Sequence, residues 1–77
     1  MNPALLLKQR FGGSWDGEAP EIHGLIEIGP RSLKIELLWV KATNKWQCCV
    51  FEGGTCLIIA SAEDFVEGVA AAVSQAL

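Results

Sequence analysis

The sequence predicts an α+β fold: a single small domain in the order α-β-β-β-β-α, with a four-stranded antiparallel meander packed by a C-terminal helix. Three observations predict it. Residues 22–60 hold four runs rich in alternating apolar residues. Compact turn signals divide them, namely Gly29-Pro30-Arg31-Ser32, Thr43-Asn44 and Gly53-Gly54. Beyond them the period changes, and Phe65, Val66, Val69, Ala72, Val73, Ala76 and Leu77 recur at helical spacing.

The first element is a short helix. Asn2-Pro3 supplies an N-cap and a first helical position, and Gly12-Gly13 stops it. Lys8 and Arg10 lie where the helix dipole favours cations. Gly12–Glu21 then reads as a glycine-rich, acidic loop with one bulky residue, Trp15. Ile22–Ile28 and Leu33–Lys41 form the first hairpin. A four-residue loop between them pairs Ile26 with Ile35, Ile22 with Trp39, Gly24 with Leu37, and Glu27 with Lys34.

Lys45–Glu52 folds back across Thr43-Asn44, so that Trp39 meets Cys48, Leu37 meets Val50, and Trp46 meets Lys41. Thr55–Ala60 folds back across Gly53-Gly54, so that Val50 meets Leu57 and Cys48 meets Ile59. The core face is then Ile22, Ile26, Ile28, Ile35, Leu37, Trp39, Cys48, Val50, Leu57 and Ile59. Ser61, with Asp64 three residues on, opens the final helix over Ala62–Ala76. Gly68 and Ala70–Ala72 keep that helix narrow enough to lie close on a sheet.

The opposite face is mixed. His23, Leu25, Glu27, Lys34 and Glu36 lie toward one side, and Leu38, Val40, Cys49, Phe51, Cys56 and Ile58 toward the other. Either the N-terminal helix covers that face or another molecule does. Composition favours another molecule. The chain has 77 residues, 51% of them hydrophobic and only 19% charged, which is more apolar material than a small core readily hides.

The net charge is −3, and the six cations Lys8, Arg10, Arg31, Lys34, Lys41 and Lys45 are scattered. Phosphate-backbone binding draws on clustered cations, so nucleic acid is disfavoured as a partner. Met1–Phe11 lacks the basic leader of a secretory signal, and no apolar run approaches the length of a spanning helix. A reducing cytoplasm and free thiols are the expectation.

No constellation carries chemistry. Cys48 and Cys49 are adjacent in a strand and point to opposite faces. Cys49 and Cys56 share a face diagonally, with Cα atoms about 7–8 Å apart, long for a disulfide. No C-x-x-C spacing supports zinc. His23 lies two strands from Cys49, outside the reach of a nucleophile–base pair. Gly12-Gly13 follows a helix, and no G-K-[ST] occurs, so a phosphate loop is unsupported. Asp16, Glu18 and Glu21 lack the spacing of a calcium loop.

With its elements in order, the chain resembles the double-stranded-RNA-binding domains. Asn2-Pro3 opens the first helix, Pro20-Glu21-Ile22 stands near the start of the first strand, Gly29-Pro30 falls at a strand turn, and Ser61 leads an alanine-rich last helix. Arg31-Ser32 replace the family's turn histidine, and the acidic Ala62-Glu63-Asp64-Phe65-Val66 replaces its lysine-rich helix start. The resemblance implies the fold with a protein-binding role, or a degenerate domain with weak or lost RNA binding.

The expectation for function is a non-catalytic interaction module that self-associates or docks on a larger protein. Its interface residues would be Trp15, Leu38, Val40, Cys49, Phe51 and Ile58. No cofactor, metal, membrane or small-molecule substrate is evident. A thiol enzyme using Cys49 or His23 is the least favoured reading.

Overall fold

In the computed structural model, which describes residues 2–77, the chain runs α1 (Pro3–Phe11), β1 (Ser14–Glu18), β2 (Glu21–Ile28), β3 (Arg31–Val40), β4 (Lys45–Glu52), β5 (Thr55–Ala62) and α2 (Phe65–Ala76). Met1, the first residue of the expected 1–77 domain, lies outside the described residues. The five strands form one antiparallel sheet in the order β1-β2-β3-β4-β5. The α+β class holds, but the strand count is five rather than four. The extra strand, β1, lies in the segment read as a loop.

α1 starts as its sequence dictates. The Asn2 side chain accepts from the Ala4 N–H at 2.9 Å, and Pro3 occupies the first turn. α2 starts later than expected. Its cap is Asp64, whose carboxylate accepts from the Glu67 N–H at 3.1 Å, while Ser61 and Ala62 still belong to β5. Both helices pack on the same face of the sheet, with Leu7 from α1 and Val69, Ala72 and Val73 from α2 meeting Ile22, Ile26, Leu33, Ile35, Leu37, Cys48 and Val50.

Two registers differ from the expected pairing by two residues. β2 and β3 close through a two-residue Gly29-Pro30 loop, so Ile26 pairs with Leu33, Gly24 with Ile35 and Ile22 with Leu37. β3 and β4 close through a four-residue loop, so Leu37 pairs with Cys48 and Trp39 with Trp46. A shift of two preserves side-chain parity, and every residue of these strands keeps its assigned face. Trp46 therefore meets Trp39 rather than Lys41, at a ring separation of 5.5 Å, and reaches Phe65 of α2 at 5.8 Å.

The third register corrects the face assignment. The Gly53-Gly54 turn is as expected, both residues having positive φ, and it sets Glu52 opposite Thr55 and Phe51 opposite Cys56. A bulge then follows, and Val50 pairs with Ile58 instead of Leu57. Beyond it every side chain of β5 is displaced by one. Ile58 and Ala60 turn toward the core, and Leu57 and Ile59 are exposed.

One ionic clamp joins the far end of α2 to the sheet. Arg31 donates from Nε and Nη2 to the Glu52 carboxylate at 3.0 and 2.9 Å, and Nη2 also donates to the Ala76 carbonyl at 3.2 Å. These hydrogen bonds, together with the arginine charge, hold the Glu52 carboxyl below the ordinary glutamate range. A carboxyl depressed in the folded state stabilises above its unfolded pKa and loses that contribution as pH falls through its folded pKa. Glu52→Gln is thus expected to lower the melting temperature at neutral pH. The two melting curves should converge as pH drops below the ordinary glutamate range. A gap that stays constant into acid would show that the clamp contributes no charge-dependent stability.

Candidate functional site

Because α1 and α2 share a face, the other face of the sheet carries no element of the described chain. Cross-strand pairing orders its side chains into rows. One row runs Asp16, His23, Glu36, Cys49, Ile59, and the next runs Ser14, Leu25, Lys34, Phe51, Cys56. Leu38 lies in a third row with Glu21 and Gln47. Polar residues dominate β1, β2 and the first half of β3, where Ser32, Lys34 and Glu36 stand, and apolar ones are Leu38 and Val40 on β3, Cys49 and Phe51 on β4, and Cys56 and Ile59 on β5. Leu25, Leu38 and Ile59 are 49%, 42% and 57% exposed, whereas Val40, Cys49 and Phe51 are half-buried by their neighbours.

Two open hollows flank Leu25. One, of about 460 Å³, is lined by Leu25, Ser32, Lys34, Glu36, Phe51 and the Gly53-Gly54 turn. A Lys34 Nζ to Glu36 Oε2 ion pair at 3.5 Å lies among its lining residues. The other, of about 340 Å³, is lined by Ser14, Trp15, Asp16, His23, Gly24, Leu25 and Lys34.

Of the residues expected at an interface, Leu38, Val40, Cys49 and Phe51 lie together on this face. Ile58 does not. The bulge turns it inward opposite Val50, where it packs against the core. Trp15 packs on its own domain: its ring lies over Gly24, its indole N–H donates to the Gly12 carbonyl at 2.7 Å, and Phe11 is 6.4 Å away. It still borders the smaller hollow. Leu25 and Ile59 belong to the face and were not among the expected residues. Leu25 carried a usable signal, because it alternates with core residues in β2. Ile59 carried none.

The thiols offer little chemistry. Burial, and then the neighbouring Cys49, push the Cys48 thiol up to about 12. Burial also raises Cys49, with Cys56 and Glu36 adding to it. Both therefore stay protonated at neutral pH, and the thiol is a weak nucleophile. Glu36 stands between His23 and Cys49, which are two strand spacings, about 10 Å, apart and beyond hydrogen-bond reach. Among the described residues no group of three histidine, cysteine or carboxylate side chains is placed to hold a metal ion. None of the described helices is long and apolar enough to cross a membrane.

No protein-family model matches this chain, and neither a curated protein nor a solved structure does. The resemblance to double-stranded-RNA-binding domains thus has no matching family model behind it.

Proposed function

We propose that this chain is a non-catalytic protein-interaction module, acting by self-association or by docking on a larger protein through the outer face of its sheet. One observation carries the reading: both helices pack on a single face, which leaves Leu25, Leu38 and Ile59 exposed on the other. Leu38 and Ile59 flank Cys49 and Phe51 in an apolar patch across β3 to β5, and such patches mark interaction sites on soluble domains. The principal extents of the domain are 35 × 24 × 18 Å, so the broad face offers area on the order of the roughly 800 Å² per partner of a standard interface. Polar groups on β1 and β2 would form its rim, and the hollows beside Leu25 would accept side chains of the partner.

Duplex RNA fits this surface less well. On this face Lys34 stands beside Glu36, which offsets its charge, and Arg31 lies on the opposite, helix-bearing face with Glu52 and the Ala76 carbonyl. Carboxylates Asp16, Glu18, Glu21 and Glu27 border the outer face.

Leu38→Glu and Val40→Glu test the proposal. Each places a charge on the outer face without opening the core. The expected result is loss of at least tenfold in affinity for a protein docked on this face, read by stoichiometric co-purification for a larger partner and by ultracentrifugation for self-association above the dimer. The circular dichroism spectrum should be unchanged. Full association in both variants would remove the outer face from the interaction.

A further inference from the structure

The two edges of the sheet are built differently. β1 is five residues long, contains Gly17, and carries Asp16 and Glu18. Short, charged edge strands resist pairing with other chains. β5 is eight residues long, Thr55-Cys56-Leu57-Ile58-Ile59-Ala60-Ser61-Ala62, with no charge and no proline. Its bulge lies near the turn and leaves the second half regular. Counting from the closing pair Glu52–Thr55 and allowing for the bulge, the N–H and C=O of Ile59 and Ser61 point away from β4. They are hydrogen-bonding groups on an open edge.

We infer that β5 pairs antiparallel with β5 of a second copy of this chain, joining two sheets into one of ten strands. An antiparallel strand that meets itself forms a two-fold, isologous contact. A charged strand would then set like charges near one another, and this one has none. In a register centred on Ala60, Glu63 and Asp64 fall beside the uncharged Leu57 and Cys56 of the other copy.

The helices fit the same geometry. α2 lies over β4 and β5. Edge pairing therefore places the two α2 helices about two strand spacings apart, about 10 Å. That is close to the 8–10 Å at which helices pack. Val66 lines a groove with Leu6, Gln9 and Arg10 on the α1 side, so the flank turned toward the second copy carries Ala71 and Gln75, with Gly68 packed beneath them against Ala62 and Cys48. Gly68 and Ala71 let the helices approach, and Gln75 supplies a polar side chain at the contact. Two coplanar outer faces result, so this inference adds to the proposed function without depending on it.

The experiment compares the wild-type chain with Ser61→Pro, which removes an outward N–H and leaves the inward ladder intact, and with Ile59→Thr, which keeps the N–H and removes apolar surface. Light scattering after gel filtration should give twice 8.3 kDa for wild type and Ile59→Thr, and 8.3 kDa for Ser61→Pro. Amide exchange on the wild-type chain supplies a readout that needs no variant: Ile59 and Ser61 should exchange slowly when concentrated and faster on dilution. A monomer at every concentration, or fast exchange at both amides in a dimer, would overturn the inference. So would a dimer lost in Leu38→Glu but kept in a folded Ser61→Pro, because association would then run through the outer face.

Discussion

Leu7→Ala is expected to remove about 2–5 kcal/mol of stability, the range for truncating a large buried aliphatic side chain. A domain of 77 residues has a total stability on the order of 4–12 kcal/mol, so this single change takes a large share of it. Leu7 is fully buried, and it is the buried residue through which the nine-residue α1 reaches the common core. A helix of that length has little stability apart from its packing. Losing the anchor should also free α1 locally, so urea denaturation should show a lower midpoint and proteolysis should begin within residues 3–13. The result bears on function. A cost below about 1 kcal/mol would mean that Leu7 is not seated among Ile26 and its neighbours, and the argument for an uncovered outer face would fall with it.

Gly24→Val is expected to cost about 1–3 kcal/mol or more, as overpacking does in a filled site. Gly24 is buried directly beneath Trp15, and a Cβ built there would collide with the indole ring. Its φ is not positive, so space and not backbone freedom demands glycine. Valine is favoured in strands generally, which makes a loss of stability here diagnostic of the ring above it. A double-mutant cycle isolates the cause. In a Trp15→Ala background the valine penalty should largely vanish, giving a coupling energy of about 1–3 kcal/mol. Strict additivity would place the Trp15 ring elsewhere and detach β1 from the position described.

How far the fold could be read from the sequence follows from what each residue pattern encodes. Alternation in β2, β3 and β4 fixes which side chains face the core, because a side chain's face depends only on parity. It cannot fix register, since a shift of two leaves every face unchanged. The loops decided that: Gly29-Pro30 makes a two-residue turn, and Lys41–Asn44 a four-residue one. In β5 the run Cys56-Leu57-Ile58-Ile59-Ala60 is apolar throughout, so nothing in it marks the bulge or says whether Leu57 or Ile58 is inside. β1 was hidden for the opposite reason. Ser-Trp-Asp-Gly-Glu has one apolar residue, and an edge strand this exposed needs no alternation. The glycine opposite Trp15 is the one mark of its position, and the sequence alone does not say which tryptophan fills that space.

The outer face was legible as a question rather than an answer. The residues on it follow from parity, but whether α1 covers them depends on tertiary packing. Leu7 settles that by lying with Val69 and Val73. Ile58 was misplaced by the same bulge that exposes Ile59.

Strand order in this sheet is the order of the chain, with no crossover anywhere in it. That has a kinetic consequence. Each hairpin closes only a short loop before it gains contacts, so the entropy lost before reward is small at every step. Topologies dominated by such local pairing fold faster than sandwiches or parallel sheets of similar size. The long-range closures come from the helices: α2 returning to β4 and β3, Arg31 meeting Ala76 across 45 residues of sequence, and Leu7 of α1 joining Val69 and Val73 of α2 in the core. The meander can therefore assemble from its middle hairpins outward, with β3 and β4 bracketed early by neighbours on both sides. β5, the last strand in the chain, joins at an end of the growing sheet. Its apolar inner face stays uncovered until α2 docks above it, and in that interval association with another chain competes with completion of the fold.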